Sequence, residues 1–298
     1  MNSSFAVNNP PMFLYKYKAF SKNAAGVDMA LATLSKRKLW ASRPGKFNDP
    51  FDCQIRLDYS IYFENLSLYI ESMIDDDVSL SEINQIKMDC KYDDDKSIIQ
   101  FIEQHLKSSG KRSLQEKIDG WIDKHSSAAG VISLSENNDN LLMWAHYADY
   151  HQGYCLKLAF NSGFPCIKKV IYGKDYPSLI DLNPSFRKNP LEKFMSDVTS
   201  CTDASQNYLF RYKSKDWEYE NEWRLLVNIV EGADGQEILI DASCGLNLTG
   251  VIFGARTSEE NKQSVIDAIY KAGFENISYE QAIIQNNKFA VKIIPYIK

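Results

Sequence analysis

The feature that most restricts the fold is a block at about 59–128 whose apolar residues recur at helical spacing. It is set into a chain that otherwise reads as short strands. Within the block, 61–73, 81–88, 98–106 and 114–125 each carry an apolar helix face. Two acidic triplets, at 75–77 and 93–95, punctuate it. Neither has the alternating Asp/Asn pattern and central Gly of a calcium loop, so both read as solvated connections between helices.

On either side of the block the pattern is mixed. An aromatic strand at 13–20 leads into a helix over 23–38, with Val27, Leu31 and Leu34 on one face, and a second strand at 39–42. Beyond the block come a strand at 130–134 and a helix over 141–151, with Asp139 or Asn140 as its N-cap and Gly153 near its end. Strands follow at 154–160 and 167–172, then a loop-and-helix stretch at 179–213. Further strands are expected at 222–230, 237–241, 250–253 and 290–296, with one helix at 258–272. Strands scattered among helices without regular alternation predict an α+β fold on a mixed or antiparallel sheet, not a doubly wound one. The expectation is one domain, 1–298, with a helical insertion at about 59–128.

Composition excludes little but directs the rest. A net charge of -5 argues against a nonspecific nucleic-acid surface, though it leaves room for a local basic groove. The six cysteines form no CxxC, which removes zinc ribbons and thioredoxin-type chemistry and fits a reducing compartment. No basic-then-apolar leader opens the sequence, and no apolar run nears the ~20 residues of a membrane span. A soluble cytoplasmic protein is expected, with no membrane partner.

Five segments carry candidate chemistry. In Trp217-Glu218-Tyr219-Glu220-Asn221-Glu222-Trp223-Arg224, an extended backbone would put Glu218, Glu220, Glu222 and Arg224 on one face. Same-face carboxylates ~6.5–7 Å apart raise one another's pKa unless a cation relieves them, and Arg224 is placed to do so. The alternative is a solvated charged face on an edge strand. In the helix bearing Met143, Trp144 and Tyr147, His146 precedes Asp149 by three, a spacing for a general-base pair; capping or bridging explains it equally well. His146 and His151 are spaced wrongly for a zinc pair. Asn48 and Asp49, in FNDPFD, either line a site or bond their own turn. Tyr15-Lys16-Tyr17 sets a cation between aromatics, where Lys16 meets a phosphate or ribose, or is an exposed strand residue. Phe253-Gly254-Ala255-Arg256 joins a strand to a helix and either offers that helix's free N-terminal amides to an anion or, as the single Gly favours, is a turn.

Taken together and in order, LYKY, KLWAS with FNDPFD, ISLSE with LLMWAHYADYHQGY, DWEYENEWRLL and IFGAR resemble a poorly characterised bacterial family of unknown function, common among mobile and defence-associated genes. The order of elements is in turn similar to that of ADP-ribosyltransferases. That resemblance implies a split sheet and NAD as substrate, with no metal. Glu222 would match the late catalytic Glu, with Glu220 two residues before it acting on the acceptor. Tyr147 or Ser135 would match the middle position, and His146 lies beside it. Tyr15, Lys16, Tyr17, Ser42, Asn48, Asp49, Ser135 and Arg224 are the residues expected around NAD, although the first strand has Tyr15, Lys16 and Tyr17 where those enzymes carry His or Arg. The implied activity is NAD-dependent ADP-ribosyl transfer or NAD glycohydrolysis in bacterial defence or toxin action. Its partners would be a protein or nucleic-acid acceptor and a cognate antitoxin or inhibitor. Two other readings stand beside it: a non-catalytic module that binds a nucleotide or partner, and a magnesium-dependent nuclease using Glu218, Glu220, Glu222 and Asp49.

Overall fold

The computed structural model of the protein describes residues 10–21, 24–53, 65–74, 77–161, 167–175, 210–230 and 232–297. Of the sequence expectations, 61–64, Asp75 and Asp76, and nearly all of 179–213 lie outside these residues. The chain divides into two compact units, one of residues 1–48, 128–172 and 213–298, the other of 49–127 and 173–212.

The first unit is built on a mixed sheet. The strands are β1 (Phe13–Lys18), β2 (Lys38–Ser42), β3 (Ala129–Ser135), β4 (Tyr154–Phe160), β5 (Ile167–Lys169), the short β6 (Ile171–Gly173) and β7 (Tyr212–Ser214), which pair with each other outside that sheet at the unit's limits, β8 (Glu222–Asn228), β9 (Gly235–Leu239), β10 (Leu246–Phe253), β11 (Ser278–Ile284) and β12 (Val291–Pro295). The main path runs β12-β11-β10-β4-β1-β3-β2-β9, with β8 between β3 and β5. The β10–β11 pair is parallel and the other registered pairs are antiparallel, so the α+β class with a mixed sheet holds.

The decisive strand is β3. One of its edges is paired along its whole length with β8, from Ala129↔Asn228 to Ser135↔Glu222. Two other strands touch it at opposite ends: β1 through Tyr15↔Ser135 and β2 through Ser42↔Val131. A strand has only two edges, so β1 and β2 share the second one and part company around Ser133. The sheet therefore opens there. Ile132 and Leu134 of β3, with Trp223 and Leu225 of β8 and Leu14, Leu156 and Leu158, form the main apolar core. Alternation sends Ser133, Ser135, Glu222 and Arg224 to the other face.

Helix α1 (Met29–Leu34) is shorter than expected: Asp28 caps it through its carboxylate, and Arg37 (φ 60) turns the chain into β2. In the second unit α2 (Leu66–Met73), α3 (Leu80–Met88), α4 (Asp95–Ser108) and α5 (Leu114–Ser127) follow the expected periodicity and bury Leu68, Met73, Ile83, Ile99 and Ile102. Asp94 caps α4, and Asp95 accepts from the amide of Leu66 (2.8 Å), so this acidic triplet is helix-end chemistry. Back in the first unit, α6 (Leu141–Tyr147) starts on Asn140 and ends four residues before its expected limit. Asp149, Tyr150 and His151 all take the left-handed conformation, which no helix continues through. The last helix, α7 (Glu259–Lys271), is capped by Ser258. Strand β11 was not expected; its opening Ser-Tyr-Glu-Gln lacks the alternation that marks a strand, and it forms by pairing beside β10.

Candidate functional site

On the strand face away from the main core, four ionised side chains are buried together. Strand β8 opens at Glu222, and Arg224 lies two residues on along the same face. The Arg224 guanidinium grips the Glu222 carboxylate with both arms, Nε to Oε1 at 2.8 Å and Nη2 to Oε2 at 3.0 Å. Lys213, from β7, donates to Glu222 Oε2 at 3.1 Å and to Glu220 Oε2 at 2.6 Å. Exposures are 0% for Arg224, 2% for Glu222, 3% for Glu220 and 9% for Lys213. Two carboxylates balance two cations, which is the condition for burying such a group at all.

The expected carboxylate ladder does not form. Residues Lys215–Glu220 wind as a 3₁₀ helix capped by the Ser214 hydroxyl, and Asn221 follows in the left-handed region (φ 43). The acidic Asp216 and Glu218 suit the first turn of that helix, which therefore outcompetes an extended run of like charges. Glu218 points to solvent, and Glu220 approaches Glu222 across a turn instead of along a strand. Among the described residues no three His, Cys, Asp or Glu side chains converge as metal ligands.

The two glutamates titrate in opposite directions. Burial raises both, but for Glu222 Arg224 and Lys213 outweigh it and hold the carboxyl well below the usual range. For Glu220 burial prevails, assisted by the negative charge of Glu222 and opposed by Lys213, and its pKa is raised.

Glu220 is also the one that reaches outward. Its Oε1 accepts from the Tyr147 hydroxyl at 2.6 Å. Ser135, buried on β3, holds the Glu220 backbone by donating to its carbonyl at 2.6 Å, and Asn140 donates to the carbonyl of Tyr219 at 3.1 Å. Asn48 hydrogen-bonds Tyr147, whose phenol is raised by burial and by the Glu220 charge. Ser133 hydrogen-bonds Glu222.

Tyr147 also lines a cleft of about 490 Å³ in the opening between β1 and β2. Lys16, Lys18, Leu34, Leu39 and Trp40 are among its other walls. Lys16 spans the gap left on β3, its ammonium donating to the Ser133 carbonyl at 2.8 Å. Loss of solvation, with Lys18 adding repulsion, pushes the Lys16 amine down to about 7, even though Glu222 and Glu220 pull it up.

Residues 143–225 match the model of a protein family of unknown function, DUF2971. The DUF2971 match runs from α6 to the middle of β8 and so takes in Tyr147, Lys213, Glu220, Glu222 and Arg224. No curated protein and no solved structure matches the chain.

Several expected site residues have other work. Arg224 is committed to Glu222, lies near the Phe47 ring (5.8 Å), and is not among the cleft walls. Tyr17 is among the cleft walls, but it packs edge-on to Trp144 at 5.0 Å and its hydroxyl donates to the Asn137 carbonyl; Tyr15 packs with the same cluster. Ser42 makes the single bridge to Val131. Asp49 belongs to the second unit, where it accepts from the amide of Phe51 (2.9 Å), the turn role. His146 is exposed and lies beside Tyr219 (6.3 Å). Because α6 stops at Tyr147, Asp149 is not one helical turn from His146, and the proposed acid–base pair does not form. Lys213 and Lys18 were missed. Lys213 had no signal beyond a lysine flanked by Tyr212 and four residues before Trp217, whose ring it meets at 5.1 Å.

Proposed function

We propose that this protein is an NAD-dependent ADP-ribosyltransferase-like effector, a transferase or NAD glycohydrolase, whose reacting centre is the Tyr147–Glu220 pair at the wall of the cleft. The observation that carries this reading is that one side chain, Tyr147, both lines an opening of ligand size and is bonded at 2.6 Å to a buried carboxylate of raised pKa. A negative charge one hydrogen bond behind the cleft wall favours an oxocarbenium-like transition state as the C1′–N bond of the nicotinamide riboside breaks and its electron pair leaves with nicotinamide. As the oxygen of water or an acceptor bonds to C1′, its proton passes to Tyr147 while the Tyr147 proton passes to Glu220.

The two glutamates exchange the roles implied by the resemblance. Glu222 has both oxygens engaged by cations and acts as the anion that keeps Lys213 and Arg224 in place. Glu220 is the one with an oxygen turned to the cleft wall. Nicotinamide release from NAD, with and without candidate acceptors, tests the proposal. Release by the wild type that falls at least a hundredfold in Glu220→Gln and Tyr147→Phe supports it; no release under any condition, or release indifferent to both changes, ends it.

A second reading draws on the same burial. Four charges held at 9% exposure or less also suit a rigid wall of a nucleotide-binding module without turnover. That reading expects unchanged ligand affinity in Glu220→Gln.

A further inference from the structure

We infer that Lys16 and Lys18 form a clamp for a diphosphate, and that the cleft takes ligands of the nucleoside diphosphate class. This rests on the reading of the cleft as the ligand site, but not on any reaction there. Both residues lie on β1 two positions apart, so their side chains leave the same strand face with a spacing of ~6.5–7 Å at the backbone, and both line the cleft. That spacing suits two adjacent phosphoryl groups.

Neither ammonium has a counter-ion of its own among the described residues. The single hydrogen bond of Lys16 goes to a neutral carbonyl, that of Ser133. The carboxylates acting on Lys16 from beyond β1, Glu222 and Glu220, are held by Lys213 and Arg224; the Cys155 thiol also faces it. The charge acting on Lys18 is Asp28, whose two oxygens accept from the amides of Leu31 and Ser21. The one carboxylate lining the cleft, Glu237, is paired with Lys38 at 2.6 Å. Two desolvated cations that repel each other and face one opening are stabilised by an anion entering it. Trp40, 40% exposed at the same opening, offers a ring on which a base can stack.

Calorimetric titration of the full chain with inorganic pyrophosphate, ADP and adenosine tests the clamp. The expected result is that ADP and pyrophosphate bind and adenosine binds at least tenfold more weakly. Lys16→Met and Lys18→Met each weaken ADP at least tenfold, while Lys157→Met, whose ammonium sits over the Phe13 ring, binds as the wild type does. Trp40→Ala weakens ADP but not pyrophosphate. Binding at pH 7 takes up a fraction of a proton, seen by repeating the titration in buffers of different ionisation enthalpy, because an anion raises the Lys16 amine. Should Lys16→Met fail to fold, Lys16→Arg keeps the charge and is expected to retain binding. Absence of ADP and pyrophosphate binding, or wild-type affinity in both methionine variants, overturns the clamp. ADP binding without nicotinamide release would leave the clamp standing and remove the enzymatic reading; release without a role for either lysine would do the reverse.

Discussion

Lys213→Met removes the cation shared by Glu220 and Glu222 and leaves two buried carboxylates facing one guanidinium. Breaking a buried ion pair from one side costs about 3–5 kcal/mol, because the remaining charge stays desolvated. The loss has a ceiling, since Glu220 can escape by taking a proton. Protonating an ordinary glutamate at pH 7 costs about 3–4 kcal/mol, at 1.36 kcal/mol per unit from ~4.3. The expected destabilisation at pH 7 is therefore about 3–4 kcal/mol. Its pH dependence has a definite sign. Without Lys213 the folded-state pKa of Glu220 rises further above its unfolded value, so the penalty is full above the raised value and vanishes as pH falls to the unfolded one. Urea denaturation followed by tryptophan fluorescence and far-UV circular dichroism, repeated from pH 7.5 to 5, reads this directly. A gap to wild type that narrows toward pH 5 is expected. The double variant Lys213→Met with Glu220→Gln removes the surplus charge and should recover about 2 kcal/mol at pH 7. A loss below about 1 kcal/mol that is flat with pH, or strict additivity in the double variant, would refute the charge-balance argument.

Three further outcomes follow from the same geometry. Glu222→Gln should cost about 3–5 kcal/mol at pH 7 by taking from Arg224 its two-armed carboxylate and from Lys213 one of its two; because the folded pKa of Glu222 is depressed, its contribution is present above the unfolded value and is lost only as pH falls well into the acid range, which a pH series of denaturation curves will show. Gly153→Ala drives a Cβ into the Lys18 carbonyl oxygen, so the end of β1 must shift; a loss of about 1–3 kcal/mol is expected by thermal unfolding, with weaker ADP binding alongside it. Tyr147→Phe should lower nicotinamide release at least a hundredfold while costing about 1–2 kcal/mol of stability, a separation that purely structural damage would not give.

Much of the fold was legible because it follows from local pattern. The helices of 65–127 came from apolar periodicity, and Glu222 as the first residue of an apolar strand was readable from the switch between EYEN and WRLLV. Arg224 as the relief for the carboxylates followed from strand alternation alone. What failed was the backbone just before that strand. The alternation argument assumed an extended chain through Glu218 and Glu220, whereas a Ser cap and early acidic residues favour a turn of helix there. The end of α6 was missed because non-glycine residues in left-handed conformation, Asp149 to His151, leave no mark in the sequence; Gly153 and Gly254, which let the loop pack, read only as turn glycines. Lys213 and Lys18 were illegible for another reason, although Lys16 was read as a candidate phosphate or ribose contact. Their meaning depends on which strand edge is left unpaired, and the sharing of β3 between β1 and β2 is set by the distant pairings Tyr15↔Ser135 and Ser42↔Val131.

The most direct test of the central claim is a crystal structure of the protein grown with NAD or ADP-ribose at saturating concentration. The ligand is expected in the opening beside Ser133, its diphosphate between Lys16 and Lys18 and its nicotinamide-side ribose within hydrogen-bonding distance of the Tyr147 hydroxyl. Density for the ligand elsewhere on the molecule, with the opening filled by water alone, would contradict the account.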